Sequence, residues 1–248
     1  MTTDASHPAE EREGARPLLV AHRGAPRERP ENTLPAFLRA LELGADGIEL
    51  DVHGTKDGVV VVHHDEVPRA TAPSGALAGR RIDTLRFDEL QGFSIRGIAR
   101  IPTLEEVLAV LEGRVDVFIE IKGTGIERAV VDIVRASRDP CRCAVHSFRH
   151  DAVARVGELA PEIRRGILFD RPLPDVPAAM RAVGAMDAWP QWELVDAPLV
   201  RAVHDAGGRV IPWTVNRPES ARALAGLGVD ALCSDLLPIV RAALEVEA

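Results

Sequence analysis

Two carboxylates lie two residues apart in the segment 44–53, whose other residues are mostly those of a buried β-strand. Alternate side chains of a strand point to the same face, so Glu49 and Asp51 share one face and the apolar residues beside them share the other. Two like charges this close cost free energy unless a cation lies between them. The pair therefore indicates a metal site, and the alternative is a strand with one polar, solvated face.

A second pair, Glu120 and Lys122, repeats this spacing at the end of another apolar run. An oxygen-rich site of Asp and Glu suits Mg²⁺, Ca²⁺ or Mn²⁺ better than Zn²⁺. The first apolar run ends in His22-Arg23-Gly24 and lacks the His-x-His pair of metal-dependent amidohydrolase barrels, which also disfavours zinc. A hard cation beside Arg23 and Lys122 is what an anionic phosphate needs. These residues therefore indicate chemistry on a phosphodiester.

Proton transfer in such a reaction needs an acid and a base, and histidines that titrate near neutral pH suit both roles. His63 and His64 are adjacent, so only one of them faces inward on an extended chain, and their spacing does not choose between them. His53 shares the face of the first carboxylate pair and is a candidate supporting residue. Four further histidines are interpreted as surface or core residues: His7, His146, His150 and His204.

Alternating strand-like and helix-like segments must position these residues. Helical patterns alternate with eight apolar, strand-like runs, which begin at Leu18, Ala45, Val115, Arg142, Arg164, Ala185, Arg209 and Val229. Eight βα units in 248 residues predict a (β/α)8 barrel, a TIM barrel, over an open doubly wound sheet. A β-branched run at 59–62 and an irregular stretch at 66–100 interrupt the alternation of strands and helices after the second strand. Thr103 and Glu106 form a capping-box pattern that predicts a helix start.

The carboxyl ends of barrel strands meet at one mouth, and this is where the polar residues fall. The strands that supply the two carboxylate pairs and His22-Arg23-Gly24 all end there. Other strand ends contribute Ser147, Trp213, Asn216 and Asp235. We therefore expect one site, assembled from distant parts of the chain.

Composition narrows the class of protein. The formal net charge of −8 argues against nucleic acid as the main partner, because binding a phosphate backbone needs many clustered cations. Hydrophobic residues make up 46% of the chain but aromatic residues only 4%, which favours aliphatic helices packed on buried strands. Cys141, Cys143 and Cys233 have no metal-site spacing and cannot all pair within one chain, so we expect reduced thiols in a cytoplasmic protein.

The first 16 residues are polar and lack the apolar centre of a secretory signal, so we predict a disordered tail at 1–16 and a barrel domain at 17–248. No stretch of 18 apolar residues occurs, and we expect no stable membrane insertion.

Together these motifs resemble the glycerophosphodiester phosphodiesterase family. The resemblance extends from Leu18 to Pro238 and rests on ordered motifs that include His22-Arg23-Gly24, Pro30-Glu31-Asn32-Thr33, Glu49-Leu50-Asp51-Val52, His64-Asp65, Glu120-Ile121-Lys122 and Trp213-Thr214-Val215-Asn216. It implies a TIM barrel with a small insertion after the second strand, at about 66–100. It also implies metal-dependent hydrolysis of a small-molecule glycerophosphodiester to glycerol 3-phosphate and an alcohol.

The resemblance further implies three sets of functional residues. One divalent cation, Mg²⁺ or Ca²⁺ with Mn²⁺ possible, would be held by Glu49, Asp51 and Glu120. General acid and base would be His22 and His64, since the second family histidine directly precedes an Asp. The substrate and its phosphate would be bound by Arg23, Lys122, Glu31, Asn32 and Trp213.

Three segments depart from the family pattern, none of them at a proposed ligand or acid/base residue, and the first and third affect the expected shape of the substrate pocket. His63 replaces an apolar residue, the segment at Arg69-Ala70-Thr71 is shortened, and the last strand ends in Ser234-Asp235-Leu236-Leu237-Pro238. Two alternatives stay open: a phospholipase D-like enzyme that forms a cyclic phosphate from lysolipids, and an inactive barrel that only binds a phosphorylated ligand. The preferred alcohol and the oligomeric state are not predicted.

Overall fold

The computed structural model of the chain describes residues 16–68 and 77–245. The predicted tail, apart from Arg16, and the segment Arg69-Ala70-Thr71 therefore lie outside the described residues, as does His7. The description covers every other residue for which the sequence predicted a role in the site.

Eight parallel strands form a nearly closed barrel in the order β8-β7-β6-β5-β4-β2-β1-β9. In chain order the described strands are β1 (Leu18–His22), β2 (Gly47–Gly54), β3 (Val60–Val62), β4 (Asp116–Ile121), β5 (Cys143–Ser147), β6 (Arg164–Phe169), β7 (Asp187–Pro190), β8 (Arg209–Val210) and β9 (Ala231–Ser234). Strand β3 stands outside the barrel and pairs antiparallel with β2. The predicted TIM barrel is confirmed.

The barrel closes between β8 and β9 through single hydrogen bonds. The backbone N–H of Asp230 donates to Val210 O at 3.0 Å, that of Cys233 to Pro212 O at 3.0 Å, and that of Val215 to Cys233 O at 2.8 Å. The strand predicted to begin at Arg209 is regular only over Arg209–Val210, which is β8. Pro212 has no N–H to donate, so a regular ladder cannot continue through it.

Helices cover the outside of the barrel. They are α1 (Leu34–Glu42), α2 (Phe87–Gln91), α3 (Leu104–Leu111), α4 (Glu127–Ala136), α5 (His150–Leu159), α6 (Val176–Val183), α7 (Ala197–Asp205), α8 (Pro218–Gly226) and α9 (Leu237–Glu245). The predicted capping box is present: Glu106 N donates to Thr103 Oγ1, and Thr103 N donates to the Glu106 carboxylate. None of the helices in the described ranges is both long and apolar enough to cross a membrane.

The segment after β3 packs as a small unit against the outer side of that strand. Its apolar residues, among them Ile82, Leu90 and Phe93, form a separate core with Val61. An isolated antiparallel β-bridge between Val61 and Thr103 holds the end of this segment against β3, immediately before α3 begins. This small unit thus lies where the resemblance placed the insertion, beside the carboxyl end of β2.

Two apolar layers follow from the alternation of strand side chains. The larger layer lies between strands and helices, and a smaller one fills the barrel interior with residues that include Val20, Phe118, Trp189 and Cys233. The two large rings need glycines opposite them. A Cβ on Gly166 would lie 2.8 Å from the Trp189 ring, and one on Gly47 would lie 2.7 Å from Phe118. The interior is therefore a packed floor, and open space begins only above it.

Replacing Gly166 with Ala tests this packing. The added methyl group meets Trp189 and the backbone oxygen of Asp187, so we expect a loss of about 1–3 kcal/mol in the free energy of unfolding, as for other overpacked cores. Urea denaturation measures it. Gly226→Ala is the matched control, because nothing lies within 4 Å of its Cβ position. Equal stability of the two variants would contradict a tightly filled floor.

Candidate active site at the carboxyl end of the barrel

A cavity of about 170 Å³ opens above the packed floor, at the carboxyl ends of the strands. Seven of the ten predicted site residues line it: His22, Arg23, Glu49, His64, Glu120, Lys122 and Trp213. Its remaining walls are His146, Phe148, Leu168, Trp189 and Cys233. The other three predicted residues do not line it: Glu31 and Asp51 pair with Arg23 of the wall, and Asn32 donates to Asp51.

The turn after β1 directs Arg23 into the site. Arg23 and Asn32 both have a φ of 56°, and Gly24 has a φ of 89°. Left-handed backbone at a non-glycine residue costs free energy, of order 1–3 kcal/mol, and is retained when the surroundings enforce it. Here the N–H of Arg23 donates to Glu49 O at 2.9 Å, and the N–H of Asn32 donates to Arg23 O at 3.1 Å. Gly24 is required because a Cβ would lie 2.7 Å from the backbone of Ala36.

Asp51 is fully buried and held by cations and an amide. The Asn32 amide donates to Asp51 Oδ2 at 2.8 Å, Arg23 Nε lies 3.1 Å from the same oxygen, and Lys122 Nζ lies 3.7 Å from Oδ1. Burial alone would raise the pKa of Asp51, but the charges of Arg23 and Lys122 hold it below its usual value. Among the described residues, Oδ1 finds no hydrogen-bond partner.

Three carboxylates are crowded at this point, because Glu49 and Glu120 are buried beside Asp51. Burial raises the pKa of Glu120, and the negative charges of Asp51 and Glu49 raise it further, although Lys122 Nζ lies only 3.3 Å away. Without a cation, burial and the neighbouring charges thus favour the protonated form of Glu120. The excess of buried acceptors, with one oxygen of Asp51 that makes no hydrogen bond to a described residue, fits a divalent cation.

His146 belongs to the same cluster, although we interpreted it as a surface or core histidine. Glu49, Glu120 and His146 each offer a ligand atom, and these atoms lie within 4.8 Å of one another. The alternation of side chains along β5 would have predicted that His146 faces the barrel interior. Ala144 faces the barrel interior, and His146 is two residues further along β5, paired with Glu120 of β4.

The two histidines of the predicted acid and base pair have matching surroundings. His22 Nδ1 lies 2.7 Å from Asp235 Oδ1, and His64 Nδ1 lies 2.7 Å from Asp65 Oδ1. A carboxylate accepts only, so Nδ1 of each ring donates and Nε2 is left for the cavity. Burial lowers the pKa of His22, but the hydrogen bond to Asp235 and the charge of Glu49 outweigh it and raise the pKa above its ordinary value.

The neighbouring histidines differ from His64. His63 does not line the cavity, and burial lowers its pKa to about 4. The Nε2 of His53 lies 3.0 Å from the backbone oxygen of His64, so His53 supports the segment that presents His64. The structure thus places His64, not His63, at the cavity, and gives His53 the supporting position considered for it.

Aromatic side chains form the opposite wall. Trp213 Nε1 donates to Trp189 O at 2.9 Å, which fixes the plane of its ring. Phe148 packs edge to face against Trp213 with ring centroids 5.4 Å apart, and it remains 41% exposed. The cavity thus has one charged side and one apolar side, as a molecule with an anionic group and a carbon skeleton requires.

Comparisons with known proteins point to one family. The sequence model of the glycerophosphoryl diester phosphodiesterase family matches residues 22–237. A glycerophosphodiester phosphodiesterase of Caldanaerobacter subterraneus subsp. tengcongensis is 36% identical over 228 residues, 88% of this chain and 93% of the relative.

Solved structures agree with the sequence comparison. A phosphodiesterase from Oleispira antarctica, in complex with the product sn-glycerol-3-phosphate, has a TM-score of 0.83 at 26% identity, over 93% of this chain and 97% of its own. A glycerophosphodiester phosphodiesterase from Agrobacterium tumefaciens has a TM-score of 0.80 at 27% identity, over 91% of this chain and 99% of its own.

Asp235→Asn tests how the pKa of His22 is raised. The neutral amide removes the charge beside the ring, so the pKa of His22 should fall, as followed by NMR titration of the metal-free protein. A raised folded-state pKa stabilises the fold below the ordinary histidine pKa, and this contribution disappears as the pH rises through the raised value. The stability lost in the variant should therefore be larger at about pH 5 than at about pH 8. The His204 signal is the internal control, and an unchanged His22 pKa would contradict the assignment.

Proposed function

The chain belongs to the glycerophosphoryl diester phosphodiesterase family, and from this premise we propose that it hydrolyses glycerophosphodiesters to glycerol 3-phosphate and an alcohol, using a divalent cation and two histidines. Membership of the family makes the chain a hydrolase of phosphodiesters. The main support for the proposed mechanism is that two histidines line one cavity, each with a carboxylate at its Nδ1. The same cavity is lined by buried carboxylates and by Arg23 and Lys122.

Glu49, Asp51 and Glu120 are the proposed ligands of the cation, which would be Mg²⁺, Ca²⁺ or Mn²⁺. Their surroundings support this, since burial and the negative charges of Asp51 and Glu49 raise the pKa of Glu120, and a bound cation would offset that repulsion. When bound, the cation supplies charge neutralisation to the non-bridging oxygens of the phosphate. Glu120 would hold the cation in its charged form, because the carboxylate is the form that binds a cation.

Arg23 and Lys122 are the proposed phosphate-binding residues. Both line the cavity, and both form ion pairs with Asp51 in this structure. Glu31 would orient Arg23, whose NH1 donates to Glu31 Oε1 at 3.2 Å, and Asn32 would orient Asp51. Glu31 and Asn32 do not line the cavity, so we propose them as positioning residues, not as groups that touch the substrate.

His22 and His64 are the proposed proton-transfer groups. One would take a proton from the attacking water, or from the neighbouring hydroxyl of the glycerol if a cyclic phosphate forms first. The other would give a proton to the leaving alcohol oxygen. Asp235 and Asp65 would hold the rings with Nε2 toward the substrate, and Trp213 would pack against its carbon skeleton. The product bound to the Oleispira antarctica relative supports glycerol 3-phosphate as the product here.

We also propose a cytoplasmic location and a small-molecule substrate. Cys141, Cys143 and Cys233 are all free thiols, as is usual in a reducing compartment. The cavity is small and enclosed by the barrel wall, which suits a small phosphodiester.

A substrate panel tests the function. The purified protein is incubated with glycerophosphocholine, glycerophosphoethanolamine, glycerophosphoglycerol and a lysolipid, with EDTA or with Mg²⁺, Ca²⁺ or Mn²⁺ added back. We expect glycerol 3-phosphate from at least one glycerophosphodiester, loss of turnover in EDTA and its return with a cation. Phosphorus NMR distinguishes a linear product from a cyclic phosphate, which would instead support the phospholipase D-like alternative. Binding without turnover under every condition would support an inactive barrel.

Replacing each proposed proton-transfer histidine tests its role. Gln fills a similar volume and cannot act as acid or base near neutral pH, so His22→Gln and His64→Gln should each lower turnover by about 10² or more. His204→Gln is the matched control, because His204 lies on α7 and pairs with Asp230 outside the cavity. Near-normal turnover in either site variant would remove that histidine from the mechanism.

A further inference from the structure

We propose that His146 is an additional, nitrogen ligand of the metal ion, and that the site therefore prefers a first-row transition-metal dication to Ca²⁺. The proposal rests on the metal site proposed above and extends it by one residue. Neither the spacing of the carboxylates nor the family resemblance assigned any role to His146.

Position is the first argument. Strand β5 pairs with β4 in a register that sets His146 beside Glu120, and the alternation of side chains turns both toward the barrel interior. Both side chains come from regular strands, so their relative placement is fixed by backbone hydrogen bonds and not by a loop. His146 is 1% exposed and lines the cavity together with Glu49 and Glu120.

The distances are the second argument. His146 Nε2 lies 3.9 Å from Glu49 Oε1, which is too far for a hydrogen bond. Two ligand atoms that each lie about 2.1 Å from one ion are themselves about 3–4 Å apart. The gap between the imidazole and the carboxylate thus has the size that a bound cation needs, and Glu120 offers a third atom within 4.8 Å of both.

The state of the ring is the third argument. His146 stacks on Trp189 with ring centroids 4.3 Å apart and planes inclined by 20°, so Trp189 supports one face of the imidazole ring. Its Nδ1 is buried and makes no hydrogen bond to any described residue. Its Nε2 also makes no hydrogen bond to a described residue, since the carboxylate oxygen Oε1 of Glu49 lies 3.9 Å away. A metal ion on Nε2 would give this nitrogen the partner that it lacks.

A nitrogen ligand changes which cation is favoured. Ca²⁺ and Mg²⁺ take oxygen ligands, whereas imidazole increases the affinity for transition-metal ions. Glu49, Glu120 and His146, whose ligand atoms lie within 4.8 Å of one another, would therefore form a mixed oxygen and nitrogen site. Mn²⁺ fits both ligand types, and it is also a spectroscopic probe.

Electron spin echo modulation of Mn²⁺ bound to the substrate-free protein tests the proposal without turnover. We expect modulation from a directly bound nitrogen-14, replaced by the nitrogen-15 pattern when the protein is labelled with ¹⁵N-histidine. His146→Gln should abolish this modulation, and His22→Gln should keep it. An all-oxygen spectrum of the unmodified chain, or loss of the signal only in His22→Gln, would overturn the proposal. The labelled native chain keeps the test valid even if His146→Gln fails to fold.

Calorimetric titration of the metal-free protein gives the second readout. His146→Gln should weaken Mn²⁺ binding about tenfold or more and change Ca²⁺ binding by less than about threefold, since only the transition metal gains from imidazole. Equal losses for both ions would overturn the proposal, because that result indicates a packing role. Failure of the proposed metal site is distinguishable, as no cation would then bind near the carboxylates at all, whereas an all-oxygen Mn²⁺ spectrum contradicts His146 alone.

Discussion

The mutual repulsion of three buried carboxylates is the constraint on which the rest of the site depends. Glu49 and Glu120 line the cavity and Asp51 is buried next to them, because β2 and β4 are neighbours and side chains of equal parity face inward. No uncompensated arrangement of this kind is stable in a low-dielectric interior. Arg23 and Lys122 provide part of the compensation, and a proton or a cation must provide the rest. The same cations are the groups that an anionic phosphate would contact.

Placing Arg23 beside the buried carboxylates requires strained backbone in the turn after β1. To reach Asp51, the chain adopts left-handed backbone at Arg23 and again at Asn32, with Gly24 against the backbone of α1. Asn32 holds both partners of this ion pair, because its backbone N–H donates to Arg23 O and its side-chain amide donates to the Asp51 carboxylate. Strain at a functional site is tolerated where several such contacts enforce one conformation.

Much of this arrangement could be predicted from strand parity alone, and the failures have local physical causes. Parity and spacing identified both carboxylate pairs, and eight repeated units identified the barrel. Spacing could not show which of His63 and His64 faces the cavity, because adjacent side chains on an extended chain point to opposite faces. The family pattern was needed to choose His64. His146 was missed because one histidine in an apolar strand has no partner nearby in the sequence. Its partners, Glu49 and Glu120, come from other strands and become visible only in the register.

Trp189 connects the packing of the barrel to the chemistry above it. Its ring fills the floor against Gly166 and Phe118, its upper face stacks on His146, and its backbone oxygen accepts the hydrogen bond that fixes Trp213. Side chains in a close-packed interior cannot shift singly without strain or voids. The positions of an imidazole beside the carboxylates and of an aromatic wall across the cavity therefore follow from how one large ring packs. In this barrel the precision of the site depends on the floor beneath it as much as on the charges that line it.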